Sequence, residues 1–306
     1  MHSRMPVNPS DPASTEGLLL VDKPTGPTSH DIVAAIRKIL GGVKTGHTGT
    51  LDPLASGLLV ILVGKATKLA PFVMGDPKVY TGTLILGLTT DTLDIKGNVV
   101  AKAVCRTEGD QAADALASLK GKMEQIPPIY SAVKIRGKPS YKYARSGEEV
   151  ERLPRSVRIY DCEMTGFRKQ GEAAEVDFMI SCSPGFYVRE YASRIGEMLG
   201  CGGTLAKLRR LASGPFRVER ALTIEELQRS SSQVSPPLDA LEGLAKVTVR
   251  EEWLVAARNG VPLQEAMVEK PVEAGFVAVM EPGGKLLGVH EVVRAHPFCS
   301  KPRRML

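Results

Sequence analysis

The chain has 306 residues, of which 43% are hydrophobic and 24% charged, and a formal net charge of +6. This composition is typical of a globular protein with a sizeable core, in one large domain or two. The five cysteines are odd in number and form no C-x-x-C pair, which argues against a disulfide framework or a structural zinc site. No apolar run reaches the roughly 20 residues that cross a membrane. We therefore expect a cytoplasmic protein with reduced thiols, and the basic balance suggests a polyanionic partner.

The N-terminal region predicts a leader followed by a strand and a helix. Residues 1–16 are rich in Pro and Ser and lack the apolar stretch of a signal peptide, so we expect them to be disordered. The sequence GLLLVDKP then predicts a short strand that ends at Pro24. Ser29 is suited to cap the next helix, whose apolar residues recur at helical spacing up to Leu40. Gly41 and Gly42 end this helix.

The stretch GHTGTLDPLASGLL, residues 46–59, combines a glycine-rich turn with a single carboxylate, Asp52. It matches neither G-x-x-x-x-G-K-[ST] nor G-x-G-x-x-G, so a mononucleotide site is not indicated. Asp52 before Pro53 is compatible with a purely structural turn, and His47 with a structural histidine. The glycines also allow close approach of an anion or a nucleotide backbone. A lone Asp beside such a ligand can act as a nucleophile, a base or an electrostatic stabiliser.

Beyond the turn, strands and helices alternate irregularly. Strands are predicted over 58–63, 79–87, 157–167 and 174–183, and helical residues over 113–121 and 187–199. This order favours an α+β domain over a regular βαβ repeat. The sequence SSSQVSPP, residues 230–237, is the best candidate for a linker. The residues after it contain short strand-like stretches and predict a small β-rich module, with a hairpin turn at PGGK.

Several separated motifs, in the same order, resemble the bacterial tRNA pseudouridine synthase B (TruB) family. The motifs are LLLVDKPTGPTSHDIV (18–33), KTGHTGTLDPLASGLLVILVGKATK (44–68), KVYTGTLILGLTTDTLDIKG (78–97), QIPPIYSAVKIRGKPSYKYARSGEEVER (125–152), CSPGFYVREYASRIGEMLG (182–200) and LAKLRRLASGPF (205–216). The resemblance implies a pseudouridine synthase fold, with a mixed, largely antiparallel central sheet flanked by helices. It implies a catalytic domain over 17–235 and, more loosely, a PUA-like RNA-binding module over 236–306.

The resemblance also implies the activity and the site. The family converts uridine 55 in the T loop of tRNA to pseudouridine, by flipping the base out and without a cofactor. Asp52 matches the catalytic aspartate, Tyr80 the tyrosine that stacks on the flipped base, and Arg189 the arginine that pairs with the aspartate. The other matching positions are substrate-binding residues or support the catalytic loop: His47, Tyr187, Leu208 and the Lys23-Pro24 pair. Without the resemblance, Arg189 is compatible with a surface cation and Tyr80 with a tyrosine that packs on a sheet.

The expected partner is tRNA, through its T arm. Residues 134–158 contain eight Lys or Arg and three Glu, with Tyr141 and Tyr143 among them. This segment suits a loop that grips the tRNA backbone, although a solvated charged face is also possible. Two further basic clusters are predicted, one at Lys207, Arg209 and Arg210 and one at Lys301, Arg303 and Arg304. Nothing in the sequence implies a protein partner or a metal, and we expect a monomer.

Two other functions stay open at this point. One is a related enzyme that takes its target from a guide RNA in a larger complex; the modest length of the chain argues against it. The other is an RNA chaperone that refolds tRNA without chemistry, against which the Asp, Tyr and Arg motifs argue.

Overall fold

The structure is a computed structural model that describes residues 16–131, 133–135, 137–140, 143, 146, 148, 150–229 and 234–306. The leader predicted over 1–16 lies outside these residues except for Glu16. Among the described residues, no helix is both long enough and apolar enough to span a bilayer.

A mixed, mainly antiparallel sheet of nine described strands forms the centre of the larger part of the chain. These strands are β1 (Gly17–Lys23), β2 (Thr45–His47), β3 (Ser56–Val63), β4 (Lys78–Leu86), β7 (Gly121–Gln125), β10 (Arg155–Gln170), β11 (Ala173–Cys182), β12 (Gly203–Ser213) and β13 (Phe216–Arg217). The main path of the sheet runs β1-β3-β12-β4-β11-β10-β7, with β2 beside β3 and β13 beside β12. Two short hairpins form separate sheets: β5 (Leu88–Thr90) with β6 (Val99–Lys102), and β8 (Lys134–Ile135) with β9 (Lys138–Pro139).

Five described α-helices flank the sheets: α1 (Ser29–Ile39), α2 (Gly109–Ser118), α3 (Val188–Met198), α4 (Ile224–Arg229) and α5 (Leu254–Arg258). Helix α3 confirms the helix predicted over 187–199, with Tyr187 and Leu199 as its caps. The prediction that Ser29 caps α1 is wrong, because Thr28 is the N-cap and forms a capping box with Asp31. Ser29 is the first helical residue, and its hydroxyl bonds to Leu51 instead.

The hydrophobic pattern of each strand explains where it lies. Strand β3 is apolar at every position from Leu58 to Val63, and it is buried on both faces between β1 and β12. Strand β4 alternates instead: Tyr80, Leu84 and Leu86 enter the core that α2 and α3 cover, while Thr81 points to the other face. The strands predicted over 58–63 and 79–87 are thus confirmed, apart from one or two residues at their ends.

The C-terminal module is β-rich, as predicted. Its five strands are β14 (Ala245–Thr248), β15 (Leu263–Gln264), β16 (Gly275–Met280), β17 (Leu286–Arg294) and β18 (Cys299–Met305), and their order in the sheet is β14-β16-β17-β18-β15.

The two sheets share one apolar cluster. Ala278, Met280 and Val289 of the C-terminal module pack in the same cluster as Leu58 and Leu62 of the central sheet. The two sheets are therefore held together by hydrophobic burial.

Part of the predicted linker, residues 230–237, is hydrogen-bonded to the central sheet. Residues 230–233 lie outside the described part of the chain. Ser235 exchanges two backbone hydrogen bonds with Leu18, at 2.9 and 2.8 Å, and so extends the edge of the central sheet. From Val234 onward the connection is thus a fixed part of the fold.

Gly57 generates the first prediction. It sits in β3 between Lys23 of β1 and Arg210 of β12, with φ at +99°, and an added Cβ would lie 2.3 Å from the Arg210 carbonyl oxygen. We expect Gly57→Ala to lower the free energy of unfolding by about 2 to 4 kcal/mol, through backbone strain and steric conflict. Equilibrium urea denaturation measures the loss.

Gly171→Ala is the matched control. Gly171 also has a positive φ, +61°, but an added Cβ would meet no atom within 4 Å. Its substitution should cost about 1 kcal/mol. Equal losses in the two variants would show that the close approach of β12 to Gly57 does not matter.

Candidate active site

Asp52 lies on a loop between two adjacent strands of the central sheet. Strand β2 ends at His47 and β3 begins at Ser56, so the loop spans residues 48–55. The Asp52 carbonyl accepts a hydrogen bond from the Ala55 amide at 3.0 Å, which closes a tight turn over residues 52–55 with Pro53 and Leu54 at its centre. Leu51 and Leu54 are buried in the core and anchor the turn. The Asp52 side chain remains 36% exposed, so its carboxylate is accessible from solvent.

Arg189 faces Asp52 from the start of α3. Its Nε lies 2.9 Å from Oδ2 of Asp52, although the N–H is not aligned for a hydrogen bond. The guanidinium is fixed by Nη1, which donates to the Thr92 carbonyl at 3.2 Å, and by Nη2, which donates to the Tyr130 carbonyl at 2.9 Å. The side chain is only 5% exposed. Two residues that are far apart in the sequence thus form an ion pair, of which the arginine is buried and the aspartate is partly exposed.

A second carboxylate, Asp94, lies on the other side of this arginine. Its Oδ2 is 3.7 Å from Nη1 of Arg189, and its Oδ1 accepts hydrogen bonds from the Thr92 hydroxyl and from the Lys96 amide. Leu93, just before it, adopts φ of +62°, a conformation that is uncommon outside glycine. One guanidinium therefore lies between two carboxylates.

The electrostatics of Asp52 reflect this environment. Burial raises the pKa of the Asp52 carboxyl, Arg189 opposes that rise, and Asp94 adds to it. Lys23, at the end of β1, is fully buried and donates to the carbonyls of Pro24 and Pro27. Burial lowers the pKa of Lys23 to about 8, and the charge of Asp52 acts against this shift. The ionised form of Asp52 is therefore favoured by two neighbouring cations.

Aromatic and apolar side chains complete the surroundings. Tyr80 lies in β4 and is 8% exposed. Burial raises the pKa of its hydroxyl, Arg210 opposes this rise, and the charge of Asp52 adds to it. Tyr187 immediately precedes α3, and the side chain of Gln125 bonds to its amide and its carbonyl, at 2.9 and 3.2 Å. Leu208 pairs with Gly82 in the sheet and packs against the same core as Tyr80. These three predicted residues thus belong to the neighbourhood of Asp52.

A cleft of about 500 Å³ opens beside the loop. Leu54 of the loop, Ser56 at its end and Leu208 of β12 line the cleft, together with Thr81. Asp177, Lys207 and Arg209 also line it, so the cleft beside the catalytic loop is partly charged.

His47 ends β2. Its Nδ1 is buried and has no hydrogen-bond partner among the described residues. The pKa of His47 is lowered by burial and then by Arg210, so the ring is neutral at pH 7.

The predicted basic clusters differ in how far their side chains are exposed. Arg210 is 2% exposed and donates to three backbone carbonyls, so the prediction that it belongs to a basic cluster with Lys207 and Arg209 is wrong. Lys207 is exposed, and the side chain of Arg209 is 41% exposed and pairs with Asp22 at 2.6 Å. Adjacent residues in a strand point to opposite faces, but the sequence analysis predicts no strand over β12 and so does not separate Arg210 from Arg209.

In the third cluster, Lys301 and Arg304 are exposed, whereas Arg303 pairs with Glu291. Two of its three predicted members are therefore open to a polyanion.

The segment 134–158 is only partly described, and Tyr141 lies outside the described residues. Tyr143 is 9% exposed, and its hydroxyl donates to the Ile135 carbonyl at 3.1 Å. The Tyr143 ring is therefore largely buried, and its hydroxyl is bonded to the backbone of β8. Arg155 and Arg158 are exposed at the end of the segment.

Several residues of this site are not singled out by the sequence analysis as parts of it. They are Asp94, Gln125, Ser29 and Arg210. Asp94 lies in the motif TTDTLDIKG, which is part of the resemblance, and this is the sequence feature that could have identified it. The residues around Asp94 do not indicate that it contacts Arg189. Among the described residues, no group of three His, Cys, Asp or Glu side chains is arranged to bind a metal.

Comparison with known proteins gives consistent results. Residues 37–188 match the model for "TruB family pseudouridylate synthase (N terminal domain)", and residues 189–241 match "tRNA pseudouridylate synthase B C-terminal domain". The chain is 42% identical to the tRNA pseudouridine synthase B of Geobacillus kaustophilus over 284 residues, which cover 88% of this chain and 98% of that protein. It is 39% identical to the protein of the same name from Bacillus anthracis, over 95% of this chain and 97% of the other.

The fold also matches solved structures. A chain in the crystal structure of a Cbf5-Nop10-Gar1 complex is 25% identical and superposes with a TM-score of 0.72, over 94% of this chain and 84% of that one. This similarity confirms the predicted pseudouridine synthase fold. With family models that cover two consecutive segments and relatives near 40% identity along almost the whole length, the chain belongs to the TruB family of pseudouridylate synthases.

Proposed function

We propose that this protein converts uridine 55 in the T loop of tRNA to pseudouridine, with Asp52 as the catalytic carboxylate. The contact of 2.9 Å between the solvent-accessible Asp52 carboxylate and the buried Arg189 is the observation that carries the proposal. The name shared by its relatives, tRNA pseudouridine synthase B, supports the RNA substrate. The T-loop position rests on the resemblance of the motifs around Asp52, Tyr80 and Arg189.

The reaction explains why a single ionised carboxylate is needed. The bond between N1 and C1′ of uridine breaks, the uracil turns, and C5 bonds to C1′. The proton of C5 is released and N1 gains one, so the product is an isomer and no electrons are exchanged. Asp52 can attack the sugar or the base, or accept a proton from the sugar, and each route requires its ionised form. Arg189 favours that form electrostatically.

The pocket must receive a uridine that has left the base stack. Unstacking costs a few kcal/mol, and stacking on an aromatic ring can return about 1 to 3 kcal/mol per base. Tyr80 and Tyr187 are aromatic residues near Asp52, and Leu208 supplies an apolar wall. We assign Tyr80 as the stacking partner and the group nearest the C5 proton, with His47 at the backbone of the flipped nucleotide.

The backbone of tRNA also requires positive charge. Exposed cations occur in both parts of the chain, at Arg155, Arg158 and Lys207 in the larger part and at Lys301 and Arg304 in the C-terminal module. Such residues contribute affinity that falls with salt, while shape and the flipped base provide the specificity. We propose on this basis that the C-terminal module is a PUA-like RNA-binding module.

Replacing the catalytic carboxylate tests the proposal directly. Asp52→Asn keeps the size of the side chain but removes its charge, so we expect tritium release from C5-tritiated uridine in unmodified tRNA to fall by at least about 10⁴-fold. Binding of the tRNA should change by less than about threefold. Asp161→Asn is the control, because Asp161 is an exposed carboxylate whose ion pair with Lys120 lies at the surface.

The same assay separates the alternatives. Full activity in Asp52→Asn would overturn the assignment of Asp52. Absence of release by the wild type on naked tRNA, with tight binding and faster tRNA refolding, would favour the chaperone. Activity that appears only when a guide RNA is added would favour the guided enzyme.

The pH dependence provides a further prediction. Because burial and Asp94 raise the pKa of Asp52, kcat should begin to fall, as the pH decreases, at a higher pH than an ordinary carboxyl would require. Asp94→Asn removes a charge that raises this pKa, so the acidic limb of the kcat profile should move to lower pH. This shift is expected even if the maximal kcat of the variant is lower than that of the wild type. Asp91→Asn, near Asp94 but bonded to Asn98, should leave the limb in place. A shift to higher pH in Asp94→Asn would contradict the electrostatic model.

A further inference from the structure

The loop that bears Asp52 is held by two side chains from distant parts of the chain. Residues 48–55 have no strand or helix of their own, yet they must keep a carboxylate fixed beside Arg189. We propose that Ser29 and Arg210 are positioning residues, which hold this loop in the geometry that the reaction requires. The inference rests on the proposed function, in which Asp52 is the catalytic group.

Ser29 binds both backbone polar groups of Leu51, the residue before Asp52. Its Oγ donates to the Leu51 carbonyl at 2.9 Å and accepts from the Leu51 amide at 2.8 Å. Ser29 is 2% exposed and Leu51 is 3% exposed, so water does not compete for these bonds. Because Ser29 begins α1, the hydroxyl is carried by a regular element with little freedom. A further bond of 2.8 Å, from the Gly26 amide to the Pro53 carbonyl, holds the residue after Asp52.

Arg210 joins the two ends of the same loop. Its Nη2 and Nη1 donate to the carbonyls of Gly49 and Thr50, at 3.0 and 3.3 Å, where the chain enters the loop. Its Nε donates to the Leu58 carbonyl at 2.7 Å, just after the chain leaves it. The planar guanidinium has donors in fixed directions, so one side chain sets the separation of entry and exit. Arg210 is 2% exposed and has no carboxylate bonded to it among the described residues.

These contacts matter because positional error is costly in catalysis. A displacement of about 1 Å can reduce a rate by about 100-fold. The single contact of 2.9 Å from Nε of Arg189 reaches only one oxygen of Asp52, so it does not by itself fix the orientation of the carboxylate. The loop backbone must fix it, and Ser29 and Arg210 are side chains that bind that backbone.

Ser29→Ala tests the inference. The variant leaves the Leu51 amide and carbonyl without their partner. We expect single-turnover isomerisation of tRNA to slow by about 10- to 100-fold, while KM changes by less than about twofold. Ser300→Ala is the matched control, since it also removes a buried hydroxyl, one that bonds to His290 at 3.1 Å in the C-terminal module. The control should lose stability without losing kcat.

Hydrogen exchange gives a readout that does not depend on activity. In Ser29→Ala, the amides of Leu51 and Ala55 should exchange faster, while amides of the central strands should keep their protection. Unchanged exchange in the loop would overturn the inference, even if tRNA proved not to be the substrate. So would a kcat within twofold of the wild type, or a loss that Ser300→Ala reproduces at equal thermal stability. Lack of isomerisation by the wild type would instead count against the proposed function alone.

Arg210→Lys separates positioning from contact with RNA. A lysine keeps the charge but cannot bond to both ends of the loop, so kcat should fall while KM and its salt dependence stay the same. If Arg210 contacted a phosphate, the effect would appear in KM, and more so in Arg210→Met, whose salt slope would fall by about one. That pattern would overturn the role of Arg210.

Discussion

The pair of Asp52 and Arg189 is the interaction on which the rest of the site depends. A carboxylate in a partly closed pocket tends to take up a proton, and a guanidinium 2.9 Å away counteracts this tendency. Arg189 is itself almost buried, so it needs compensation of its own. The carbonyls of Thr92 and Tyr130 supply part of it, and Asp94 adds to it. Removing Asp52 would therefore leave a buried guanidinium with less compensation for its charge.

The fold brings these groups together from four separate segments. Asp52 comes from the loop before β3, Arg189 from the start of α3, and Asp94 from the turn between β5 and β6. Lys23 ends β1 and is buried near the loop. Gly57 is a point where β3 and β12 come close together, since any side chain there would enter the β12 backbone. The central sheet thus acts as a rigid support for a loop that has no regular structure of its own.

Local patterns in the sequence predict five of the seven strands on the main path of the central sheet, together with the helices α1 and α3, because burial imposes periods of 2 and 3.6 on them. They do not predict the ion pair, since the residues between Asp52 and Arg189 carry no trace of their contact; only the resemblance joins them. The prediction for Ser29 is wrong for a related reason. A serine beside a helix start suits a cap, but Thr28 occupies that position and Ser29 bonds across the fold to Leu51. Arg210 is misplaced in a surface cluster because sequence shows charge and not burial.

The charges around Asp52 define the conditions under which the proposed chemistry can proceed. Asp52 and Asp94 carry two negative charges, and Arg189 and Lys23 carry two positive ones, so the set is neutral when all four are ionised. Burial raises the pKa of Asp52 and lowers that of Lys23 to about 8. Both shifts narrow the pH range in which Asp52 and Lys23 are ionised together. A site held by neutralised charge must also hold its geometry by other means, since Coulomb attraction has little directionality. The hydrogen bonds from Ser29 and Arg210 to the loop backbone are directional, so they can fix the orientation of the loop, which the ion pairs cannot do.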